Sequence, residues 1–282
     1  MPELPEVETI ARGLNTRVSG DLIESVWLGS KPELLKSSAR EIVGALERSR
    51  ILRVHRMGKH IVFDLNRVSP SVRKKRHQRS AEVTSQWIVH LGMTGRLQVC
   101  APQSEILKHT HAIAGLGSGR ELRFVDPRRF GRLSVAATGG FHAAGIEPLD
   151  ADLDQFIALF RGRKTPIKSA LLNQKLLRGV GNIYADESLF RAGIRPRRRA
   201  SSLTRDEFAK LHSFVKEVLR EAIALGGSSI SDYVDSDGEE GFFQLQHRVY
   251  GREGEPCLVC KTPIKRIVIA GRSSHYCPKC QR

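Results

Sequence analysis

Between residues 5 and 14 the apolar side chains Val7, Ile10, Ala11 and Leu14 recur at three- and four-residue steps. That period predicts a short amphipathic helix, with Pro5 suited to its first turn and Glu6 and Glu8 favourable near its N-terminus. Beyond it the period changes. Segments 22–28, 51–55, 60–65, 86–91, 95–100, 121–125 and 131–136 are short, β-branched or alternating, and bounded by Gly, Pro, Asn or Asp, which predicts strands. One helix-like stretch, 33–46, interrupts them, so a β-sandwich or barrel is expected rather than a parallel sheet with crossover helices. Residues 136–150, AATGGFHAAGIEPLD, read as a linker. Helical period then dominates: Phe156, Leu159 and Phe160 mark one helix, 167–172 a second and 182–192 a third. The longest, 204–225, has Thr204 as N-cap, Glu207 in the reciprocal capping position, and a stripe of Phe208, Leu211, Val215, Val218, Leu219 and Ile223 that ends at Gly226 and Gly227. The chain is thus expected to be multidomain α+β.

Charge narrows the partners. The 282 residues carry 46 Lys+Arg against 30 Asp+Glu, a net +16, in an otherwise ordinary composition of 40% hydrophobic residues. A field of that sign attracts nucleic acid or an anionic membrane surface. No run of 18 apolar residues is present to span a bilayer, and MPELPEVETI lacks the basic and apolar regions of a secretory signal. A cytoplasmic, reducing location is expected, in which the five cysteines serve as ligands or free thiols. The excess is local: residues 161–199 hold eleven Lys/Arg and two acids, whereas 1–30 sum to −3. Residues 66–85 hold six Lys/Arg and one acid, and read either as a solvated basic insert or as an auxiliary nucleic-acid contact.

Cys257-x2-Cys260, sixteen residues, then Cys277-x2-Cys280 is the strongest purely chemical signal. Two such pairs can close a tetrahedral sulfur shell around zinc with no position left for water, a structural site. An iron-sulfur centre or four unrelated thiols are the alternatives. Between the pairs, 265–270 and 273–276 read as strands around a turn at Gly271 and Arg272, a positive β-hairpin suited to phosphates rather than to base edges. Cys100 reads as a semi-buried thiol with no assigned role.

Three further pieces are ambiguous when taken singly. Pro2 permits loss of Met1, which would expose a secondary α-amine; such amines titrate near ~7.7–8.0, so a useful fraction is neutral and nucleophilic at pH 7. Glu3 beside it could handle proton transfers, or PELPE could simply begin a helix. The turn at 178–184, RGVGNIY, fits neither a P-loop nor a dinucleotide fingerprint, but with Asn182 as N-cap it would aim backbone amides outward toward a phosphate. In DPRRFG, 126–131, Arg128 and Phe130 could project into DNA as a donor and a wedge, or Phe130 could pack in the core.

Together these pieces resemble the formamidopyrimidine-DNA glycosylase family of bacteria, repair enzymes for 8-oxoguanine and ring-opened purines. PELPEVETI at 2–10, HLGMTG at 90–95, DPRRFG at 126–131, KTPIK through GVGNIYADESLF at 164–190, GGSSISDYV at 226–234 and VYGREGEPC through YCPKC at 249–280 occur in the family's order and cover essentially the whole chain. Leu4 and the set Met93, Arg128 and Phe130 resemble the purine-directed branch. The endonuclease eight branch typically begins Pro-Glu-Gly-Pro. The basic stretch 66–85 is longer than the usual family loop.

The resemblance implies an N-terminal two-sheet β-sandwich with flanking helices over 1–135, a linker at 136–150, a helix-two-turn-helix domain with a lesion-capping loop over 151–240, and a four-cysteine zinc β-hairpin finger over 241–282, with DNA in the cleft. It implies Pro2 as Schiff-base nucleophile, Glu3 as acid/base, and Lys59 as a phosphate-binding lysine near the lesion. His90, Lys168, Asn182 and Arg272 are implied as phosphate contacts around a flipped nucleotide. Met93, Arg128 and Phe130 are implied to fill the vacated stack, Arg128 facing the orphaned cytosine. One structural Zn2+ on Cys257, Cys260, Cys277 and Cys280 is implied, as are double-stranded DNA containing oxidised purines as the partner, no membrane, and a monomer acting at the nucleoid. The expected reaction is base excision followed by β,δ-elimination. A non-catalytic damaged-DNA binding protein of the same fold is the alternative, and an RNA- or ribosome-associated binder a more distant one. Intact Pro2 and Glu3 favour the enzyme.

Overall fold

In the computed structural model, which describes residues 1–68, 82–229 and 241–282, the alternating segments form strands β1 (Leu22–Leu28), β2 (Ser49–Met57), β3 (His60–Arg67), β4 (Ser85–His90), β5 (Arg96–Cys100), β6 (Thr110–Leu116), β7 (Glu121–Val125) and β8 (Arg132–Ala137). Strand β6 was not expected. Its sequence, THAIAGL, is built from small residues, and the reason lies across the ladder: a Cβ at Gly115 would meet Ser25 Oγ at 2.5 Å. Hydrogen bonding runs in the order β5-β7-β6-β1-β2-β3-β4-β8. The seam between β1 and β2 is short, pairing at Leu22↔Arg50 and Ile23↔Ser49, whereas β2 and β3 pair along nearly their whole length. The ribbon therefore consists of two four-stranded halves joined at one corner. Both halves bury the same core: Ile23, Leu97, Ala114, Leu122 and Phe124 from one, Ile51, Phe63, Leu65, Trp87, Val89 and Leu133 from the other. That is the expected sandwich, its two sheets sharing an edge.

Helix α1 (Leu4–Val18) adds Val7, Ile10, Ala11, Leu14 and Val18 to this core, the 3.6-residue stripe read from the sequence. The stretch 33–46 divides into a turn of 3-10 helix, Pro32–Leu34, and α2 (Ala39–Leu46). The break falls where Ser38 caps α2 through a reciprocal bond pattern with Glu41.

The remaining helices are α3 (Leu153–Phe160), α4 (Ile167–Leu171), α5 (Asn182–Ala192) and α6 (Arg205–Ala224). Asp152 with Gln155 and Thr204 with Glu207 form capping boxes on α3 and α6. Phe156, Phe160, Leu171, Tyr184, Leu189, Phe208, Leu211, Val215 and Leu219 bury one another. Strands β9 (Lys265–Ile269) and β10 (Arg272–Tyr276) make the C-terminal hairpin, which turns at Ala270 and Gly271, both with positive φ.

The chain clusters into two compact units. One contains Met1–Pro2 and Glu6–His142; the other contains Glu3–Pro5, Ala143–Ser229 and Gly241–Arg282. Most of the basic stretch 66–85, and of SSISDYVDSDGEEGFFQ at 228–244, where the resemblance implies the lesion-capping loop, lies outside the described residues. Among the described residues, no helix is long and apolar enough to cross a membrane.

Candidate functional site

In the sandwich unit, register gathers five of the expected residues. His60 pairs with His90, and His90 pairs with Arg132, so neighbouring strands β3, β4 and β8 align these positions at one end. Lys59 immediately precedes His60 in the β2–β3 turn and is 8% exposed. Met93 occupies the β4–β5 turn, and Arg128 and Phe130 occupy the turn before β8. Met93 is 42% and Phe130 47% exposed, which removes core packing as the explanation of either side chain. The Arg128 guanidinium lies over the Phe130 ring, 5.1 Å from its centroid.

His90 has a defined protonation state. The Gly92 N–H donates to its Nδ1 at 3.1 Å, so the neutral ring carries its proton on Nε2. Burial, with the positive charges of His60, Lys59 and Arg132 nearby, pulls its pKa down to about 4. At neutral pH the imidazole is therefore an uncharged Nε2–H donor.

In the helical unit, Glu3 is buried against the start of α5. The Ile183 N–H donates to Glu3 Oε1 at 3.3 Å, and a Cβ at Gly181 would lie 2.1 Å from the Glu3 carboxyl carbon. Leu4 N–H donates to the Gly179 carbonyl at 3.0 Å, which fixes the chain beside the turn. This differs from the expected arrangement. Gly181, not Asn182, is the N-cap, and an amide expected to face outward is taken by a carboxylate of the same chain.

Around that carboxylate sits a polar cluster. Lys168 is fully buried; its ammonium pairs with Asp186 Oδ1 at 2.6 Å and donates to the Ser273 carbonyl at 2.6 Å. Burial pushes the Lys168 pKa down, against the pull of Asp186 and Glu3, with Arg272 adding to the fall. Asn182 Nδ2 donates to Ser273 Oγ at 3.4 Å. Asp186 Oδ2 accepts the His275 N–H at 2.9 Å, so one carboxylate grips both a helix lysine and strand β10, which begins at Arg272.

Sequence reasoning did not find Asp186, Glu187, Tyr250 or His275. Asp186 and Glu187 are the two acids of the basic stretch 161–199, and both are buried. Glu187 accepts the backbone N–H groups of Arg248, Val249 and Tyr250 at 2.8–3.1 Å, which bends that loop over α5. Burial raises its pKa despite those three amides. Two adjacent acids alone in so basic a segment were the available signal.

Cys257, Cys260, Cys277 and Cys280 bring their sulfurs within 4.8 Å of one another. The separations Cys257–Cys280 and Cys260–Cys277 are 3.9 and 3.4 Å. These are far too long for disulfides and close to the ~3.8 Å edge of a tetrahedron with ~2.3 Å zinc-sulfur bonds. Hydrogen bonds from Thr262 lower the Cys260 thiol to about 6, whereas burial and the neighbouring sulfurs raise Cys277 and Cys280, an opposition that a metal cation must offset to hold all four as thiolates. The donor set fits one structural zinc ion. Gln281, fully buried, ties the knuckle down by accepting the Cys277 N–H and donating to the Ile194 carbonyl, each at 2.8 Å.

Comparison with known proteins agrees throughout the chain. Residues 1–133 match the formamidopyrimidine-DNA glycosylase N-terminal domain, 144–234 the H2TH domain of the same enzymes, and 254–282 a zinc finger found in FPG and IleRS. Formamidopyrimidine-DNA glycosylases of Solibacter usitatus and Thioalkalivibrio sulfidiphilus are 44% and 41% identical, with full coverage of both chains in each case. The MutM (FPG) protein of Thermus thermophilus superposes with a TM-score of 0.84 at 41% identity, covering 99% of this chain and 98% of that one. A Lactococcus lactis FPG mutant, solved with a Fapy-dG containing DNA, superposes with a TM-score of 0.88 at 31% identity, with full coverage of both.

Proposed function

This chain belongs to the formamidopyrimidine-DNA glycosylase family and is a DNA glycosylase of DNA repair, and from that premise we propose that it excises 8-oxoguanine and ring-opened purines through a Schiff base on Pro2 and then cleaves the strand. The observation that carries the proposal is the Glu3 carboxylate, buried at the start of α5 and one peptide bond from Pro2. A nucleophilic amine and a fixed proton shuttle are the two groups this chemistry requires.

The nucleotide must leave the duplex before an N-terminal amine can reach its sugar. Phe130 and Met93, exposed on adjoining turns, enter the vacated stack, and Arg128 addresses the orphaned cytosine. Lys59 and the Nε2–H of His90 hold phosphate on the sandwich side, and Asn182 and Arg272 do so on the helical side. Lys168 reaches a phosphate by exchanging the Ser273 carbonyl for it. After loss of Met1, the Pro2 nitrogen attacks the anomeric carbon, and the bond to the base breaks as Glu3 manages the proton transfers. The secondary amine yields a cationic iminium directly. With the iminium as electron sink, loss of a C2′ proton expels the 3′ phosphate, and a second elimination expels the 5′ phosphate. Water then releases the sugar fragment and regenerates the amine. Zinc when bound supplies no step; it closes the hairpin that begins at Arg272. The enzyme acts as a monomer.

Incubation with duplex 8-oxoguanine:cytosine DNA and borohydride tests this reading. A covalent adduct whose sugar remnant maps to Pro2, with β,δ-cleavage products in its absence, is the expected result. A remnant on an internal lysine with Pro2 unmodified would refute the assignment.

A further inference from the structure

Asp126 sits beneath the proposed wedge and is fully buried. Its Oδ1 accepts the Thr94 hydroxyl at 2.6 Å and the Arg128 N–H at 3.3 Å, and its Oδ2 accepts the Gly131 N–H at 2.7 Å. Its backbone is held as firmly. The Asp126 N–H donates to the His109 carbonyl at 3.0 Å, and its carbonyl accepts from buried His111 Nε2 at 3.0 Å and from the Arg129 N–H at 3.3 Å. One side chain thus joins the turn that carries Met93 to the turn that carries Arg128 and Phe130.

Two further features show that the junction is tight. A Cβ at Gly92 would lie 2.4 Å from the Phe130 carbonyl carbon and 2.5 Å from the Gly131 nitrogen, so the two backbones touch without a side chain between them. Arg129 is held at φ 57, a left-handed conformation that L side chains rarely adopt. Such a turn persists where its surroundings over-determine it. The Asp126 carboxylate supplies that constraint from inside, bonding residues on either side of Arg129.

We infer that Asp126, acting with Thr94, is a specificity-positioning residue that locks Met93, Arg128 and Phe130 into one rigid insertion unit. The inference rests on the proposed wedge role of those three side chains. A duplex that pushes on Phe130 then also meets Met93, and Arg128 meets the opposite base at a fixed height. Without the carboxylate the two turns move independently, and Arg128 loses its aim at the orphaned base before the chemistry at Pro2 is touched.

The test compares Asp126→Asn, Thr94→Val and Thr94→Ser with Arg128→Ala and Phe130→Ala. Single-turnover excision of 8-oxoguanine is measured opposite cytosine and opposite adenine, together with borohydride trapping on a single-stranded abasic site, which has no opposite base. Asp126→Asn and Thr94→Val are expected to slow duplex excision about 10- to 100-fold, as sub-ångström to ångström misplacement does, and to reduce the preference for cytosine at least ~5-fold. Single-strand trapping should stay within ~2-fold, and Thr94→Ser, which keeps the hydroxyl, should retain the preference. Thr94→Val carries the test if Asp126→Asn fails to fold. If Arg128→Ala and Phe130→Ala are impaired while Asp126→Asn and Thr94→Val keep both rate and preference, the wedge stands and the positioning role is overturned. If none of the four is impaired, the wedge reading falls and this inference falls with it.

Discussion

Gly181→Ala is the sharpest probe of the proposed acid/base because it moves Glu3 without altering it. Gly181 has φ −128 and ψ −162, extended backbone that alanine adopts without strain. The added methyl would instead lie 2.1 Å from the Glu3 carboxyl carbon and 2.3 and 2.5 Å from its oxygens. Ordinary contact begins at 3.4 Å, so the carboxyl carbon must retreat by about 1.3 Å, which breaks its bond from the Ile183 N–H. Stability should change little, by ~1 kcal/mol for an N-cap Gly→Ala change. Activity should change far more. An ångström of misplacement costs on the order of 10²-fold, and outright loss of a positioned acid/base ~10²–10⁴-fold, which is the expectation for Glu3→Gln. The assay is single-turnover excision opposite cytosine, with affinity for an abasic-site analogue measured in parallel and expected to hold within a few-fold. Gly44→Ala is the control: it lies inside α2 with open space where its Cβ would go, and should gain ~0.5–1 kcal/mol while excision stays unchanged. A Gly181→Ala enzyme with the parent excision rate would show that the placement of this carboxylate is irrelevant to catalysis.

Further predictions concern the framework. Cys277→Ser should release zinc, seen by elemental analysis, and weaken binding to damaged and undamaged DNA together; a fully active metal-free protein would contradict the structural role. Asp186→Asn strands the buried Lys168 ammonium and should cost about 3–5 kcal/mol, whereas replacing both partners by Leu and Met should cost much less; equal losses in urea titrations would argue against a buried ion pair. His90 and His247 have folded pKa values of about 4, against ~6.5 when unfolded, so between those pH values the unfolded chain binds more protons. Acidification from pH 7 to pH 4.5 should therefore lower stability by a few kcal/mol at most, and a urea midpoint that rises over that interval would reverse the sign.

The sequence disclosed those parts of the fold whose signal is local. Helix α1 follows from the spacing of Val7, Ile10, Ala11 and Leu14, α6 from the Thr204–Glu207 box, and the hairpin from two Cys-x2-Cys pairs. Strand β6 escaped because its residues are chosen for closeness to β1 rather than for β propensity, a property of the partner strand. The site divides similarly. Arg128 and Phe130 were visible as members of a turn that could not bury all its large side chains, with core packing of Phe130 left open until its exposure was seen. Asp126, Asp186 and Glu187 were not, because an acid among arginines reads as surface until tertiary structure shows it wholly enclosed. Part of the local excess of 161–199 is likewise met by acids from outside that stretch: Arg178 pairs with Glu147, Arg191 with Glu217 and Glu221, and Arg198 with Glu207.

The pairing of Leu4 with Gly179 places a condition on when the enzyme can become active. The ribosome makes Pro2 and Glu3 well before α5, yet the pocket that fixes Glu3 is assembled from α5, and the polar cluster around it draws on Lys168, Asp186 and the hairpin strand that starts at Arg272. The proposed nucleophile is thus made well before the residues that support its neighbour. A nascent chain stalled before residue 272 would carry the amine without a completed setting for its neighbouring carboxylate. Stalled chains of increasing length should acquire borohydride-trappable activity abruptly, and only once residue 272 and the strand it begins have been made, so that the proposed amine is armed by residues far behind it in the order of synthesis.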